Sequence, residues 1–138
     1  MPAHLYSADI QSIMMVNGWK ELRGRGQIMK TRDKYTCPLE LTHDITRGKW
    51  KPIILWQLGK GGMSLSQLER TIQGINQKML LEQLKELTDY KIVEKQSSPG
   101  YPLKVEYSLT DRGYKLLEAI TIMQTIGIDL MKENERRS

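Results

Sequence analysis

In the stretch "GINQKML", three hydrogen-bonding side chains, Asn76, Gln77 and Lys78, follow directly on a glycine turn. Asparagine and glutamine amides can pair with the edge of adenine, and a lysine ammonium with guanine or a phosphate. Ser66, upstream at a helix start, could offer its hydroxyl and the helix terminus to a phosphate. Lys95, Tyr101 and Lys104 cluster further on, with Arg112 just beyond, and Lys49 and Lys51 lie ahead. These are types that follow a nucleic-acid backbone or the adjacent minor groove. Any one of them alone reads as readily as an ordinary solvated residue. Their concentration in one helix start and one hairpin favours DNA contact for the set. Glu82, Lys85 and Asp89 read as a solvated helix row, since carboxylates facing phosphate would repel it.

Cys37, the single cysteine, stands immediately before Pro38 with Lys34 upstream. A thiol becomes reactive as a thiolate, which a helix N-terminus or a nearby cation favours. Taken by itself, Cys37 reads more readily as a small, half-buried filler. A lone cysteine excludes an intramolecular disulfide framework, and His4 and His43 cannot make a metal-ligand cluster. There is no glycine-rich phosphate loop after a strand, no nucleophile elbow and no carboxylate pair set for acid–base work. Neither an enzyme nor a cofactor is implied. No run approaches the about eighteen apolar residues of a membrane span, and a reducing cytoplasm is the expected compartment. The net charge of +5 over 138 residues fits nucleic-acid binding only weakly on its own.

The elements that must position these residues show in the periodicity. Residues 1–34 are rich in turn formers and read as an N-terminal extension, dispensable over 1–28 or else helical over 7–22. From Cys37 the pattern tightens into a domain over residues 35–132. Pro38 opens a helix bearing Leu41 and Ile45 on one face. "RGKWKP" breaks it and starts a second, carrying Ile53, Ile54, Leu55, Trp56 and Leu58, that should be buried on most sides. "GKGG" ends that helix, and Met63 to Leu65 suits a very short strand. Ser66 with Glu69 fits a capping box for a third helix, stopped by Gly74. Asn76 then caps a fourth, with Leu80, Leu84 and Leu87 as its core stripe. Two helices joined by a tight glycine turn, the second presenting a polar first turn, make a helix-turn-helix.

Beyond Tyr90 the period becomes two. "KIVEKQ" and "KVEYSL" read as strands around the loop "SSPGYP", a hairpin or wing, with Val105, Tyr107 and Leu109 inward. Thr110 caps a last helix over residues 110–132, followed by a polar tail over 133–138. Its apolar residues, among them Leu116, Leu117, Ile120, Met123, Ile126 and Leu130, cover more than one face. Such a helix at the end of a small domain needs a second surface, most economically that of another copy of the chain. A ligand pocket at that interface would account for it equally. The fold class is α+β, mainly helical: a winged helix-turn-helix with a terminal dimerisation helix.

The motifs "GKWKPIIL", "LSQLERTIQGINQKML", "QLKELTDYKIVEK" and "VEYSLTDRG", in that order, resemble the HxlR-type winged-helix transcription regulators of bacteria, relatives of the MarR group. The resemblance covers residues 37–130. It departs in the long lead and in Arg47-Gly48, where the family often has two glycines. It implies a homodimeric regulator, expected to be a repressor at a pseudo-palindromic operator, with the Asn76 helix in the major groove. Some members sense electrophiles or oxidants through a cysteine near the domain start, which Cys37 matches in position. With no second cysteine here, a bridge would have to join Cys37 to its counterpart in the other subunit, or give way to a mixed thiol adduct. The reading from a different class is a winged-helix protein–protein module with no DNA contact.

Overall fold

The computed structural model describes residues 34–137, with five helices and one two-stranded antiparallel sheet. The expected extension, with its alternative helix, lies outside the described residues except at its last position. The chain divides after Arg47 into two compact units.

In the first unit, helix α1 spans Pro38–Thr46, with Pro38 in its first turn, where a missing N–H costs nothing. Cys37 occupies the N-cap in extended backbone but makes no side-chain cap bond. Thr36 holds the helix start instead. Its backbone N–H donates to Glu40 Oε2 at 3.1 Å and its hydroxyl to Oε1 at 3.2 Å. Tyr35 donates its hydroxyl to the carboxylate of buried Asp44 at 3.0 Å.

The second unit carries α2 (Trp50–Leu58), α3 (Leu65–Thr71), α4 (Gln77–Asp89), β1 (Val93–Ser98), β2 (Lys104–Leu109) and α5 (Asp111–Arg137). Helix α2 lies in the middle and touches α3, α4, β2 and α5. Ile54, Leu55 and Leu58 lose all exposure there, while Trp56 is half-buried and Ile53 faces outward. The expected burial on most sides therefore holds, with Ile53 the exposed exception.

Leu80, Leu84 and Leu87 form the buried face of α4, as their spacing predicts. Burying each contributes roughly 1.5–3 kcal/mol, against about 1 kcal/mol for a cap. The leucines therefore choose which face α4 buries, and its cap decides only where the helix begins.

The short strand expected at Met63 is a single bridge. Met63 N–H donates to Tyr107 O at 2.9 Å, and Tyr107 N–H returns to Met63 O at 2.8 Å. Strand β1 begins later than "KIVEKQ" suggests, at Val93, because Lys91 turns the chain with φ +58 and Ile92 N–H is taken by Leu87 O at 2.9 Å. Strand β2 matches its expected span, with Tyr107 and Leu109 buried and Val105 half-buried.

Helix α5 starts as expected after Thr110, whose hydroxyl accepts Gly113 N–H at 3.2 Å. It continues to Arg137, past the expected end near 132, so residues 133–137 are helical and not a loose tail. Their composition, "ENERR", favours helix, and the arginines of the last turn complement the negative end of the helix dipole.

The start of α5 lies so close to the chain behind it that a Cβ added at Gly113 would come 2.3 Å from the backbone oxygen of Ile92. In an unhindered helix, alanine gains about 1 kcal/mol over glycine. Here the backbone must shift, so Gly113→Ala should lower the unfolding free energy by about 1–3 kcal/mol in urea melts. A variant as stable as the wild type would refute the close approach.

Candidate nucleic-acid interface

Helices α3 and α4 are joined by Ile72 to Asn76, with Gly74 at φ +90 making the sharp turn that side-chain-bearing residues rarely adopt. The cap of α3 differs from expectation. Ser64, not Ser66, is the N-cap: its Oγ accepts Gln67 N–H at 3.2 Å, and Gln67 Oε1 accepts Ser64 N–H at 2.8 Å. Both "SLSQ" and "SQLE" satisfy the Ser-x-x-Gln/Glu pattern, and the Met63–Tyr107 bridge decides between them by fixing the chain just ahead of Ser64. Ser66 therefore sits inside the first turn, exposed, its Oγ 3.2 Å from that of Ser64.

Asn76 caps α4 as predicted, its Oδ1 accepting Met79 N–H at 2.8 Å. That bond engages the amide oxygen of an exposed side chain, whose Nδ2 is a donor. Gln77 and Lys78 are exposed beside it, and the first turn holds no carboxylate. The positive end of the helix dipole and exposed Lys78 thus lie at the same end of α4. Glu82 and Lys85 lie in solvent as expected, while Asp89 is half-buried. Leu81 lies outside the core stripe. It is 43% exposed, one turn on from Gln77, and is of the apolar type that packs on a thymine methyl. Its signal was legible, since it falls outside the stripe of Leu80, Leu84 and Leu87.

The hairpin pairs Lys95 with Tyr107 and Ser98 with Lys104. Cross-strand partners share a face and successive residues alternate, so Lys95 and Lys104 lie on opposite faces of the ribbon. Both are exposed. The wing thus presents one cation on each side and not a single patch. Tyr101, in the connecting loop, stands wholly in solvent.

One of the predicted cations is otherwise engaged. Lys51 is 3% exposed and pairs with Glu86 of α4. A buried ammonium cannot meet a phosphate, so the expectation for Lys51 is corrected. Nothing local in "GKWKP" could reveal a partner in another helix. Lys49 remains exposed, its Nζ 4.5 Å from the centre of the Trp50 ring.

Arg112 donates through one guanidinium nitrogen to Tyr90 O at 2.7 Å, which leaves its other donors available. The hydroxyl of Thr110 is 2.6 Å from Lys91 O and 3.1 Å from Ile92 O. With Gly113 against Ile92 O, the first turn of α5 grips three successive carbonyls where α4 ends.

Along α5 the apolar residues divide. Ile120 is buried, and Leu116 and Leu117 are half-buried, with Leu117 packed so closely on Gly59 that an added Cβ would lie 2.6 Å from it. The chain itself consumes Ile120, which has almost no surface left for another subunit. Met123, Ile126 and Leu130 are more than half exposed, and Ile122, Ile128 and Met131 join them in solvent. Between α2 and α5 runs an open groove of about 490 Å³, lined by Pro52, Ile53 and Trp56 on one side and Met123, Ile128 and Met131 on the other. No helix among the described residues is long and apolar enough to cross a membrane.

The α3–turn–α4 pair followed by the hairpin can be set against known proteins. The HxlR-like helix-turn-helix family matches residues 45–135. The chain belongs to that family. It is 43% identical over 100 residues to a Fusobacterium mortiferum protein, MalR, whose name calls it a regulatory protein; the match spans 72% of this chain and 94% of MalR. Among solved structures, the redox regulator HypR in its reduced form is 34% identical with a TM-score of 0.67, covering 72% of this chain and 98% of HypR. The reduced transcriptional regulator YodB of B. subtilis is 37% identical with a TM-score of 0.60, covering 66% of this chain and 90% of YodB. This HxlR-like chain is therefore a helix-turn-helix transcription regulator and not an enzyme, and DNA binding is what its family implies.

The capping role of Asn76 rests on its amide oxygen, and that oxygen can be tested apart from the amide nitrogen. Asn76→Ala should cost about 1 kcal/mol of stability, whereas Asn76→Asp, which keeps the capping oxygen, should stay within about 0.5 kcal/mol of wild type. Equal losses in urea melts would show that Oδ1 is not the cap.

Proposed function

We propose that the chain is a homodimer that binds a pseudo-palindromic operator, with the amino end of α4 in the major groove and the hairpin along the backbone or adjacent minor groove. The observation that carries this reading is the exposed polar side of the start of α4, where Asn76, Gln77 and Lys78 stand together with no carboxylate in the first turn. A helix fits the major groove, and its first-turn side chains reach base edges while cations hold phosphates. Two such helices, one per subunit, meet successive major grooves when they lie about 34 Å apart.

The exposed row of Met123, Ile126 and Leu130 supports dimerisation, because apolar surface of that extent on one helix is covered in a stable assembly. The DNA-binding domain begins near residue 35, with the segment ahead of it an extension. Repression follows from occlusion of a promoter by the bound dimer.

Lys78→Ala tests the reading. Titration of an operator enriched from random duplex by the wild type should give two chains per site, with weaker binding by the variant. If Lys78 holds a phosphate, the slope of log K against log salt flattens by about 0.9; if it holds a base, discrimination between sequences drops instead. A variant equal to wild type in both respects removes α4 from the interface. A wild type with no affinity for duplex at any salt points to a protein-interaction module.

A second reading concerns Cys37, which is exposed at the N-cap of α1. The related structures of HypR and YodB are of a redox regulator and of a regulator also solved after diamide treatment. On this reading the Cys37 thiolate adds to an electrophile such as a quinone, or two Cys37 thiols join across the dimer as an oxidant takes two electrons and two protons, and operator affinity changes. Mass spectrometry and gel shifts after quinone or diamide treatment should show an adduct and altered binding in wild type and neither in Cys37→Ser. Identical responses leave the thiol without a sensory role.

A further inference from the structure

We infer that Lys51 is a positioning residue for α4: from its buried place in α2 it holds Glu86 and so sets the angle at which Asn76, Gln77 and Lys78 meet DNA. The inference rests on the DNA-binding reading above.

Lys51 lies in the first turn of α2, and its side chain keeps 4% of its exposure while that of Glu86 keeps 14%. Replacing a buried ion pair by apolar residues of similar volume is often neutral or stabilising, so stability alone is a poor account of why the charges are there. Direction is a better one. The leucine stripe of α4 packs through non-directional contact and tolerates small tilts of the helix. A charge-assisted hydrogen bond between two helices has a preferred length and angle and does not.

The placement makes that constraint matter. Glu86 lies near the carboxyl end of α4 and Asn76 caps its amino end. At 1.5 Å per residue the two are about 15 Å apart along the axis. A tilt of about 5° at the pair would therefore move Asn76 by roughly 1.3 Å. An amide–base hydrogen bond spans only about 2.7–3.2 Å, so such a displacement breaks it. Phosphate attraction, being longer in range, would survive.

The other attachments of α4 do not substitute for the pair. The carbonyls held by Arg112 and Thr110 belong to Tyr90, Lys91 and Ile92, at the same far end. Near the amino end, Leu80 and Ile75 are the buried anchors, and both are apolar. Among the described residues, the Lys51–Glu86 contact is the ion pair that joins α4 to another element. It joins α4 to α2, the helix whose next residues, Pro52 and Ile53, line the groove facing α5.

The test uses the full chain, a duplex enriched from a random library by the wild type, and a scrambled duplex of the same composition. In Lys51→Met/Glu86→Leu both charges are gone. This variant should melt at or above the wild-type temperature. It should bind the enriched duplex about tenfold or more weakly, the worth of one good base contact, and bind the scrambled duplex as before, with the salt slope unchanged on both. A merely structural pair would shift the melt and leave the ratio of the two affinities intact, which overturns the inference. A salt slope reduced by about 0.9 on both duplexes would make Lys51 a phosphate contact and overturn it equally. If the double variant cannot be purified folded, Lys51→Arg keeps a cation in place but changes its geometry. It should lower the same ratio, and an unchanged ratio again overturns the inference. A wild type that enriches no sequence defeats the DNA-binding reading itself, an outcome visible before any variant is made.

Discussion

The second unit depends on a helix that has water along little of its surface. Helix α2 is nine residues long, yet it meets α3, α4, β2 and α5, and three of its side chains lose all exposure. A helix so placed has to be apolar around most of its circumference, and "WKPIILWQL" is. The buried exception is Lys51, and the cost of burying an ammonium is offset by a carboxylate brought from another helix. The central constraint is thus double. Apolar contact holds the bundle together, and one directional contact crosses it between the middle helix and the helix that carries the exposed polar turn.

What the sequence made legible was what depends on near neighbours. The Leu80, Leu84 and Leu87 stripe, the Asn76 cap, the alternation in "KVEYSL" and the start of α5 after Thr110 all rest on residues within a turn or a strand of one another, and each lies where its pattern puts it. Contacts that cross the fold had no such signal. Lys51 looked like one more cation in a basic stretch because Glu86 is far away in the chain. Ser66 looked like a cap because its spacing to Glu69 is as good as that of Ser64 to Gln67, and only the Met63–Tyr107 bridge separates the two. Nothing near Arg112 in the chain marks Tyr90 O as the partner of one of its nitrogens. Of the candidate site, the exposure of Asn76, Gln77 and Lys78 at the start of α4 was legible in the sequence, and the partners of the surrounding cations were not.

The pair Lys49 and Lys51 shows why charge counting is a weak guide. Two residues apart at the start of a helix, they lie about 200° apart around its axis. One reaches over the Trp50 ring into solvent, and the other turns inward to Glu86. A net charge of +5 adds the two as equals. For a surface that attracts DNA only the first counts, because a buried and paired ammonium contributes little field outside. The cations of the hairpin are divided in their own way, Lys95 and Lys104 on opposite faces of one ribbon.

Helix α5 is tied down at its start and open along its remainder. Its first turn holds the carbonyls of Tyr90, Lys91 and Ile92, and Leu117 and Ile120 pack within the chain. From Met123 onward its apolar residues face water. A helix divided in this way is suited to serve as a beam between two subunits, since the part that would meet a second copy is rigidly continuous with the part that grips the end of α4. In the dimer proposed above, the spacing of the two α4 helices is then set by how two α5 helices cross, and the tilt of each by the Lys51–Glu86 contact. The first adjusts the distance between half-sites and the second the reading within one. Because the two constraints act on different helices, a change at the subunit interface can alter the fit to an operator while leaving each half of the reading surface intact.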